Sequence, residues 1–574
     1  MTIGATASEV TRGNVESRAH RFTIGSAAVL ASIVGAYAVF GLAVLSPEAV
    51  YSGDIGVKYV QARALAHHGF TSLDIPYPGE FLDPQRQFFP MRPPFVMTID
   101  GSTQAIFPPS AAVMQAAAAR AGGIEGLIVV SVVAGALILY AAARMVSPAL
   151  GPAVLLSLGL GTPLWFYAIS GWEHAPAVAF STMGFMVAVR GRSPAASLAA
   201  GVLVGMAAAL RDEALLLVPG MVLAASLAPG RRRSAGALLA GVVVPLALAA
   251  VVEVWWFERP AAAHLRHAVH MLQVAAHLTD QPNPDVPSLE PFTMRERYET
   301  VVNYWLAGSD ADRTIAAFGI GLAAALVVRW KLKSSVGVLV WILGMAVVAA
   351  ADLHEVLTAP KWLAGLFRVA PYAVLALVPA RRAAAERTWL PTVVIFTAVS
   401  YIVLAFAGVD TSGGKSLGPR LLLPLVPLLA VTAVTSIEGH LRGASRADRA
   451  VGVVGVALVL MSMAFHIGGT MRAYYGRNHE DASAVRAAAA GGERVIVADD
   501  PFTAQLLFPL YYRRIVFLAD SRPLGQRLGA VLAEHRVPGA VVVSRHADPT
   551  IRLDPLRLER SEQVGRMLIQ HWRR

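Results

Sequence analysis

Long apolar runs separated by short polar connections dominate the first 468 residues of the chain. Most runs reach the roughly 17–25 residues that a helix needs to cross a bilayer. The first, at 22–45, is too long for the core of a signal peptide and is interpreted as a retained span. The pattern predicts thirteen transmembrane helices, at 22–45, 123–143, 152–169, 175–189, 196–210, 214–228, 235–256, 314–329, 335–351, 362–379, 388–407, 418–435 and 450–468.

The apolar run at 105–120 is not counted as a span, because it is short, rich in Ala and opens with Pro108-Pro109. Basic residues support this choice, since cytoplasmic loops carry an excess of Lys and Arg. With residues 1–21 in the cytoplasm, every second connection is basic, whereas the opposite short connections are poor in Lys and Arg. We therefore predict a cytoplasmic N-terminus and an extracytoplasmic C-terminus.

Three segments are then expected outside the cell: the loops 46–122 and 257–313 and the tail 469–574. In the tail, short apolar runs alternate with helical patterns, which is typical of a small α/β domain with a parallel sheet. The predicted strands are 494–500, 514–520 and 539–544. The predicted fold is a polytopic α-helical membrane domain, 22–468, followed by this extracytoplasmic domain.

Composition agrees with this architecture. Of the 574 residues, 55% are hydrophobic and 15% are charged, and the mean hydropathy is +0.55. The net charge of +11 comes mostly from basic clusters between apolar runs, so we expect no nucleic-acid partner. The absence of cysteine excludes disulfides, thiolate metal sites and a Cys nucleophile.

The segment 50–65 contains the first candidate for chemistry. Asp54 follows the first span directly, between Gly53 and Gly56, which leave the backbone free to turn. A short amphipathic helix follows, of the kind that lies along a membrane interface. An acid at this boundary indicates chemistry on a lipid-borne substrate, although an Asp before a helix can also simply cap it.

Three polar clusters in extracytoplasmic positions could bind a ligand or a metal, but each also has a purely structural explanation. Asp499-Asp500 follow a predicted strand and either bind a ligand or cap the next helix. Asp352 and Glu355 flank His354 and are interpreted as a solvated loop rather than an acceptor or metal contact. Four histidines diverge around any helix that carries them, which favours a polar interfacial helix over a metal site. They are His264, His267, His270 and His277.

The long first span, the early Asp54 and the Pro108-Pro109 motif together resemble the GT-C superfamily of lipid-phosphate-sugar glycosyltransferases. Within it, the chain resembles the branch of lipid A aminoarabinose transferases and protein O-mannosyltransferases. That branch has a second acidic site in the next outside loop, here Glu173-His174. Two departures are a Glu-His pair where relatives often have Asp, and Ser110 after the two prolines in place of Leu.

This resemblance implies an inverting transfer in which a polyprenyl phosphate is the leaving group. A carboxylate takes the proton of the acceptor hydroxyl, and cations stabilise the departing phosphate. Asp54 is the expected general base. Glu173 is the expected second acid, which orients the acceptor or holds a divalent cation, and His174 is a hydrogen-bonding neighbour. No cofactor is otherwise expected.

A phosphate at the outer membrane face requires Arg or Lys. Lys415 and Arg420 lie in a glycine-rich stretch that enters the twelfth predicted span. A charge one turn inside a membrane needs an anionic partner or must reach back to the interface. Lys361 and Arg368 flank the start of the tenth predicted span in the same way, and Lys58 lies one turn from Asp54.

The positions of the remaining charged residues favour a glycosyltransferase over a transporter. Arg211 is interpreted as an internal ion pair with Asp212 and Glu213. Other charges lie at span ends, as Glu253 does, whereas transport usually needs ionisable groups near the bilayer midplane. The alternatives are a transporter or flippase of a lipid-linked sugar and a polysaccharide ligase or polymerase. The expected partners are a polyprenyl-phosphate sugar and an extracytoplasmic glycan, lipid or protein acceptor.

Overall fold

A computed structural model describes most of the chain. The described residues are 22–50, 53–92, 95–191, 193–227, 232–260, 293–306, 311–358, 365–378, 380, 417–546 and 551–574. The four histidines of the second outside loop, the predicted span at 388–407, Lys361 and Lys415 lie outside these ranges.

The N-terminal half of the membrane part consists of helices joined by short connections. They are α1 (Ile24–Val39, extended by a π-helical turn at Phe40–Val44), α2 (Gly53–His67), α3 (Pro109–Arg144), α4 (Gly151–Leu160), α5 (Leu164–Ile169), α6 (His174–Arg190), α7 (Pro194–Leu210), a 3₁₀ turn (Asp212–Leu217), α8 (Val218–Leu227) and α9 (Arg232–Trp255). A hairpin of β1 (Val96–Ile99) and β2 (Ser102–Ala105) precedes α3.

The second half of the membrane part is also helical. It contains α10 (Met294–Trp305), α11 (Ala311–Lys331), α12 (Val336–Thr358), α13 (Leu366–Val369), two 3₁₀ segments (Pro371–Leu377 and Arg420–Leu425), α14 (Val426–Leu441), α15 (Arg446–Ala464), a π-helical turn (Phe465–Thr470) and α16 (Met471–Ala490). Buried side chains from α1, α3 to α6, α14 and α15 form one large core.

Seven segments of the described residues are long and apolar enough to cross a membrane, as a multi-pass membrane protein requires. The thirteen predicted spans differ from the helices in places. The predicted span 152–169 is two helices, because Gly161 ends α4 and Pro163 precedes α5. The predicted span 362–379 contains only α13 and a 3₁₀ segment between Gly365 and Val378. The count of thirteen stays a prediction.

Helix α3 changes direction at its middle. Gly123 has a φ of 63°, a conformation that glycine adopts without steric cost. The two halves then approach so closely that a Cβ on Gly126 would lie 2.1 Å from the carbonyl oxygen of Ala118. The run at 105–120 thus contributes the first half of a bent helix whose second half is apolar and partly exposed.

The C-terminal part contains a five-stranded sheet in the order β4-β3-β5-β7-β6. The strands are β3 (Val495–Ala498), β4 (Ile515–Leu518), β5 (Gly539–Ser544), β6 (Arg557–Val564) and β7 (Met567–Arg573), with α17 (Pro501–Leu506) and α18 (Arg522–Glu534) between the first three. Strands β3, β4 and β5 are parallel and coincide with the three predicted strands. The antiparallel β6 and β7 were not predicted.

Helix α2 packs against the C-terminal part through α17 and the 3₁₀ turn Phe508–Leu510. Val57 and Val60 share a core with the buried strands β3 to β5, and the Tyr512 hydroxyl donates to the Val60 carbonyl at 3.0 Å. A Cβ on Gly56 would lie 2.7 Å from the backbone oxygen of Gln505. The prediction that Gly56 allows a turn is therefore wrong. Gly56 lies within α2, where the lack of a side chain allows the C-terminal part to pack against the helix.

Candidate active site

Asp54 lies in the first turn of α2, and its carboxylate pairs with an arginine from the other end of the membrane part. Arg420 Nη1 donates to Asp54 Oδ2 at 2.7 Å, across 366 positions of sequence. Gly418, with a φ of 66°, allows the chain before Arg420 to pass tightly over Pro163. The Asp54 and Arg420 side chains are 14% and 25% exposed, so this pair remains accessible from solvent.

Lys58 lies one helical turn beyond Asp54 on the same face of α2. Its ammonium group contacts Glu173, with Nζ 2.7 Å from Oε1. The Nζ atom also lies 3.9 Å from the centre of the Phe107 ring and 5.7 Å from the Trp172 ring. Lys58 is 2% exposed. One face of α2 therefore presents an accessible carboxylate and a buried ammonium group.

Glu173 is fully buried in the connection between α5 and α6. In addition to Lys58, Arg211 Nη1 donates to its Oε1 at 2.8 Å, and Gln115 Nε2 donates to its Oε2 at 3.4 Å. Arg211 also pairs with Glu213 at 2.8 Å. Lys58 of α2, Gln115 of α3 and Arg211, directly after α7, thus converge on one carboxylate.

The charges around Glu173 determine its protonation state. Burial raises the pKa of this carboxyl group, but the Lys58 ammonium and the Arg211 guanidinium outweigh burial and lower its pKa to about 2. Glu173 is therefore ionised at neutral pH. A buried carboxylate held by two cations suits a role in fixing their positions better than one in accepting a proton.

His174 is enclosed by aromatic rings. The centre of its imidazole lies 5.3 Å from that of the Tyr167 ring and 4.9 Å from that of the Trp172 ring, with interplanar angles of 32° and 33°. Its Nδ1 is 3.8 Å from Glu173 Oε1, and among the described residues neither ring nitrogen has a hydrogen-bond partner. His174 is 2% exposed and lies behind the charged groups.

A divalent cation, one of the two alternatives for Glu173, does not fit these residues. Arginine and lysine nitrogens occupy positions around both carboxylates, Asp54 and Glu173, at 2.7–2.8 Å. A Ca²⁺ or Mg²⁺ site needs several oxygen ligands facing one point. In the ranges that the structure describes, no group of three or more acidic or His side chains could hold a metal ion. We therefore derive no step that involves a metal.

The site thus includes Asp54, Lys58, Glu173, His174 and Arg420 of the predicted residues. Arg368 is instead engaged by Asp352, with Nε 2.8 Å from Oδ2. Asp352 is buried on α12, so the interpretation of this segment as a solvated loop is wrong for Asp352, although His354 and Glu355 are exposed. Lys361 and Lys415 lie outside the described residues.

Arg211 was missed as a member of this site. The sequence indicated its pair with Glu213, and that pair is present. The additional bond to Glu173 joins residues 38 positions apart. Since an adjacent carboxylate already accounted for the charge of Arg211, no local signal indicated a second one. A positive charge between two predicted spans is the only indication that the sequence contains.

Comparisons with known proteins give structural matches only: no family model matches the chain, and the curated proteins yield no match. One similar structure is that of ArnT from Cupriavidus metallidurans in the apo state, with a TM-score of 0.43 and 14% identity over 95% of this chain and 97% of ArnT. Another is AglB, an oligosaccharyltransferase from Archaeoglobus fulgidus, in complex with an inhibitory peptide and a dolichol-phosphate. It has a TM-score of 0.40 and 11% identity over 90% of this chain and 69% of AglB.

Both matched proteins are members of the GT-C superfamily that the sequence resembles. With TM-scores below 0.5, these similarities do not support any particular function for this chain. The function proposed below rests on the residues of the site.

Proposed function

We propose that the protein is a membrane glycosyltransferase that moves a sugar from a polyprenyl-phosphate donor to an extracytoplasmic glycan, lipid or protein acceptor. The observation that carries this proposal is the accessible pair of Asp54 and Arg420 at 2.7 Å. One member is a base that an acceptor hydroxyl can reach, and the other is a cation that fits phosphate oxygens.

In the proposed reaction, Arg420 holds the donor phosphate. The acceptor hydroxyl attacks the anomeric carbon from the opposite side and gives its proton to the Asp54 carboxylate. A new carbon–oxygen bond forms to the acceptor, and the bond to the phosphate oxygen breaks with its electron pair. Arg420 stabilises the negative charge that develops on the departing phosphate.

This geometry requires the resting ion pair to open. Asp54 and Arg420 are in direct contact at 2.7 Å, whereas in the reaction the sugar lies between the base and the phosphate. The donor phosphate replaces Asp54 as the anionic partner of Arg420, and the carboxylate is released toward the acceptor. Arg420 is then paired with an anion in both states, which removes the cost of an unpaired charge.

The buried groups have a supporting role in this proposal. Glu173 fixes Lys58 at 2.7 Å and Arg211 at 2.8 Å, and Lys58 in turn fixes the face of α2 that carries Asp54. Glu173 and Lys58 are thus positioning residues, and His174 packs behind them. This assignment differs from the expectation that Glu173 orients the acceptor or holds a cation and that Lys58 binds phosphate.

Transfer of radiolabelled sugar by the purified protein tests the proposal. The wild-type protein in a neutral-lipid nanodisc should transfer label from a polyprenyl-phosphate sugar to an acceptor fraction of cell envelope, and no label should move from a sugar nucleotide. Transfer only from a lipid diphosphate would instead indicate a polysaccharide ligase or polymerase. Movement of the intact labelled lipid across the bilayer without transfer would indicate a flippase.

The proposed site also requires a defined topology. Asp54, Glu173 and the C-terminal part should lie on the extracytoplasmic side, with the N-terminus in the cytoplasm. Alkaline phosphatase fused after Arg574 should be active in a bacterial host, and the same enzyme fused after Arg144 should be inactive. The opposite pattern would contradict both the topology and an extracytoplasmic acceptor.

A further inference from the structure

A second polar cavity lies at the junction of α2, α3, α16 and the C-terminal part. It has a volume of about 530 Å³, within the roughly 300–1,000 Å³ of small-molecule sites. Five separate stretches of the chain line it, and three arginines face it. We call it the cationic pocket; its characteristic residues are Pro47, Tyr59, Arg63, Gly123, Arg486 and Arg513.

The cationic pocket lies beside the ends of two apolar spans. Pro47 follows the π-helical end of α1 by three residues, and Gly123 precedes the apolar half of α3. Asn478 of α16 bonds the backbone of Ser46 in both directions, at 2.7 Å and 3.1 Å. Helix α16 therefore passes across the end of α1, and one side of the pocket is next to the predicted lipid boundary.

Two of the three arginines lack a carboxylate partner among the described residues. Arg486 pairs with Glu48 at 2.7 Å. Arg63 donates to the Tyr59 hydroxyl at 3.0 Å, and lies 5.8 Å from the Tyr59 ring and 5.9 Å from the Tyr512 ring. Arg513 is exposed, and its guanidinium has no ion pair within the described ranges.

The arrangement favours an anion. The other acid of the lining, Glu125, is exposed at the rim, so the two unpaired guanidiniums outnumber it. The rings of Tyr59 and Tyr512 lie 5.8 and 5.9 Å from the Arg63 guanidinium, and a guanidinium confined beside aromatic rings loses less entropy when it binds two oxygens. Guanidinium forks bind phosphate oxygens in pairs, and Tyr and Arg side chains are common at membrane interfaces.

We propose that the cationic pocket binds a phosphate-bearing group through Arg63 and Arg513. The sources of this chemistry are a lipid headgroup, whose acyl chains would run down the exposed apolar half of α3, and a soluble phosphate. The site is separate from the proposed transfer reaction: Arg63 lies nine positions beyond Asp54, which places the two side chains on opposite faces of α2.

Lipid binding tests this proposal with the full-length protein. The probe is fluorescent phosphatidylglycerol, titrated into protein in phosphatidylcholine nanodiscs, with inorganic phosphate as the competitor. The variants are Arg63→Gln and Arg513→Gln, singly and together. The matched control is Arg527→Gln, which removes the same charge from an exposed position on α18.

We expect saturable binding by the wild-type protein, a tenfold or greater loss of affinity in the double variant and wild-type affinity in Arg527→Gln. Competition by inorganic phosphate would assign the site to phosphate in general, and resistance to it would assign the site to the lipid headgroup. Undiminished affinity in the double variant, or an equal loss in Arg527→Gln, would overturn the proposal. Because Arg513 is exposed, its single variant tests the site even if Arg63→Gln unfolds.

Discussion

The two acids of the candidate site have opposite surroundings. Asp54 has one cationic partner and is 14% exposed, with its partner Arg420 25% exposed. Glu173 has two cationic partners and is fully buried. An accessible ion pair can exchange partners with a substrate, whereas a buried one costs several kcal/mol to open. We therefore propose that Asp54 takes part in the chemistry and that Glu173 supports the site.

The largest effect is expected when the buried ion pairs of Glu173 are broken. Glu173→Gln leaves Lys58 and Arg211 buried without their shared carboxylate, which should destabilise the protein by about 3–5 kcal/mol. Thermal unfolding in detergent measures the loss. Glu80→Gln is the control, because Glu80 forms an exposed ion pair with Arg86 at 3.4 Å, of a kind that contributes at most about 1 kcal/mol. Equal unfolding temperatures for Glu173→Gln and the wild-type protein would contradict a supporting role.

Removal of Arg420, the cation of the accessible ion pair, should affect donor binding more than stability. Arg420→Ala should weaken binding of a polyprenyl-phosphate sugar by about ten- to a hundredfold, the equivalent of about 1.5–3 kcal/mol for a hydrogen bond to a charged group. Arg420→Lys should recover part of the loss, since Lys supplies the charge without the paired donors. Titration calorimetry measures the affinities, with Arg442→Ala, an exposed arginine at the end of α14, as the control. Donor affinity unaffected by Arg420→Ala would remove Arg420 from the phosphate site.

A smaller effect is expected when the contact between Gly56 of α2 and the C-terminal part is disturbed. Gly56→Ala places a Cβ 2.7 Å from the Gln505 backbone oxygen and 2.9 Å from the Phe508 ring, an overpacking that typically costs about 1–3 kcal/mol. Because α2 carries Asp54, we also expect a lower transfer rate at saturating donor. Gly476→Ala is the control, since a Cβ there meets nothing within 4 Å. Gly56→Ala with wild-type rate and stability would show that the C-terminal part does not position α2.

The smallest effect is a change in pH dependence. The carboxyl group of Glu173 has its pKa lowered from 4.5 to about 2 in the folded protein. Its contribution to stability is therefore complete above about pH 4.5 and declines as the pH falls toward 2. The gap in unfolding temperature between the wild-type protein and Glu173→Gln should be constant from pH 7 to 5 and narrower at pH 3.5. A gap that widens on acidification would contradict an ionised Glu173.

Sequence patterns indicated the residues of the accessible ion pair better than those around the buried Glu173. Asp54 and Arg420 were each selected because they lie at the expected outer end of a span. Lys58 and Arg211 each have a carboxylate nearby in sequence, so nothing local indicated that both also contact Glu173. Long-range ion pairs depend on helix packing, which hydrophobic periodicity does not specify.

The C-terminal part shows the same limit. Its three parallel strands were predicted because they are continuous apolar runs, buried on both faces. Strand β6 was missed because most of its residues are exposed and half of them are charged; it is an edge strand that pairs with β7. The hairpin of β1 and β2 has an Asp100-Gly101 turn with positive φ at both residues, a local signal that was available and was overlooked.

The most direct test of the account is the transfer activity of Asp54→Asn, measured beside its unfolding temperature and donor affinity. Asn keeps the size and shape of Asp and can still accept a hydrogen bond from Arg420, but it cannot take the proton of the acceptor hydroxyl. The account predicts a folded protein of near wild-type unfolding temperature that still binds donor and transfers sugar about a hundredfold or more slowly, the usual scale for losing a general base. Full transfer by a well-folded Asp54→Asn protein would contradict the account and reduce Asp54 to an ion-pair partner of Arg420.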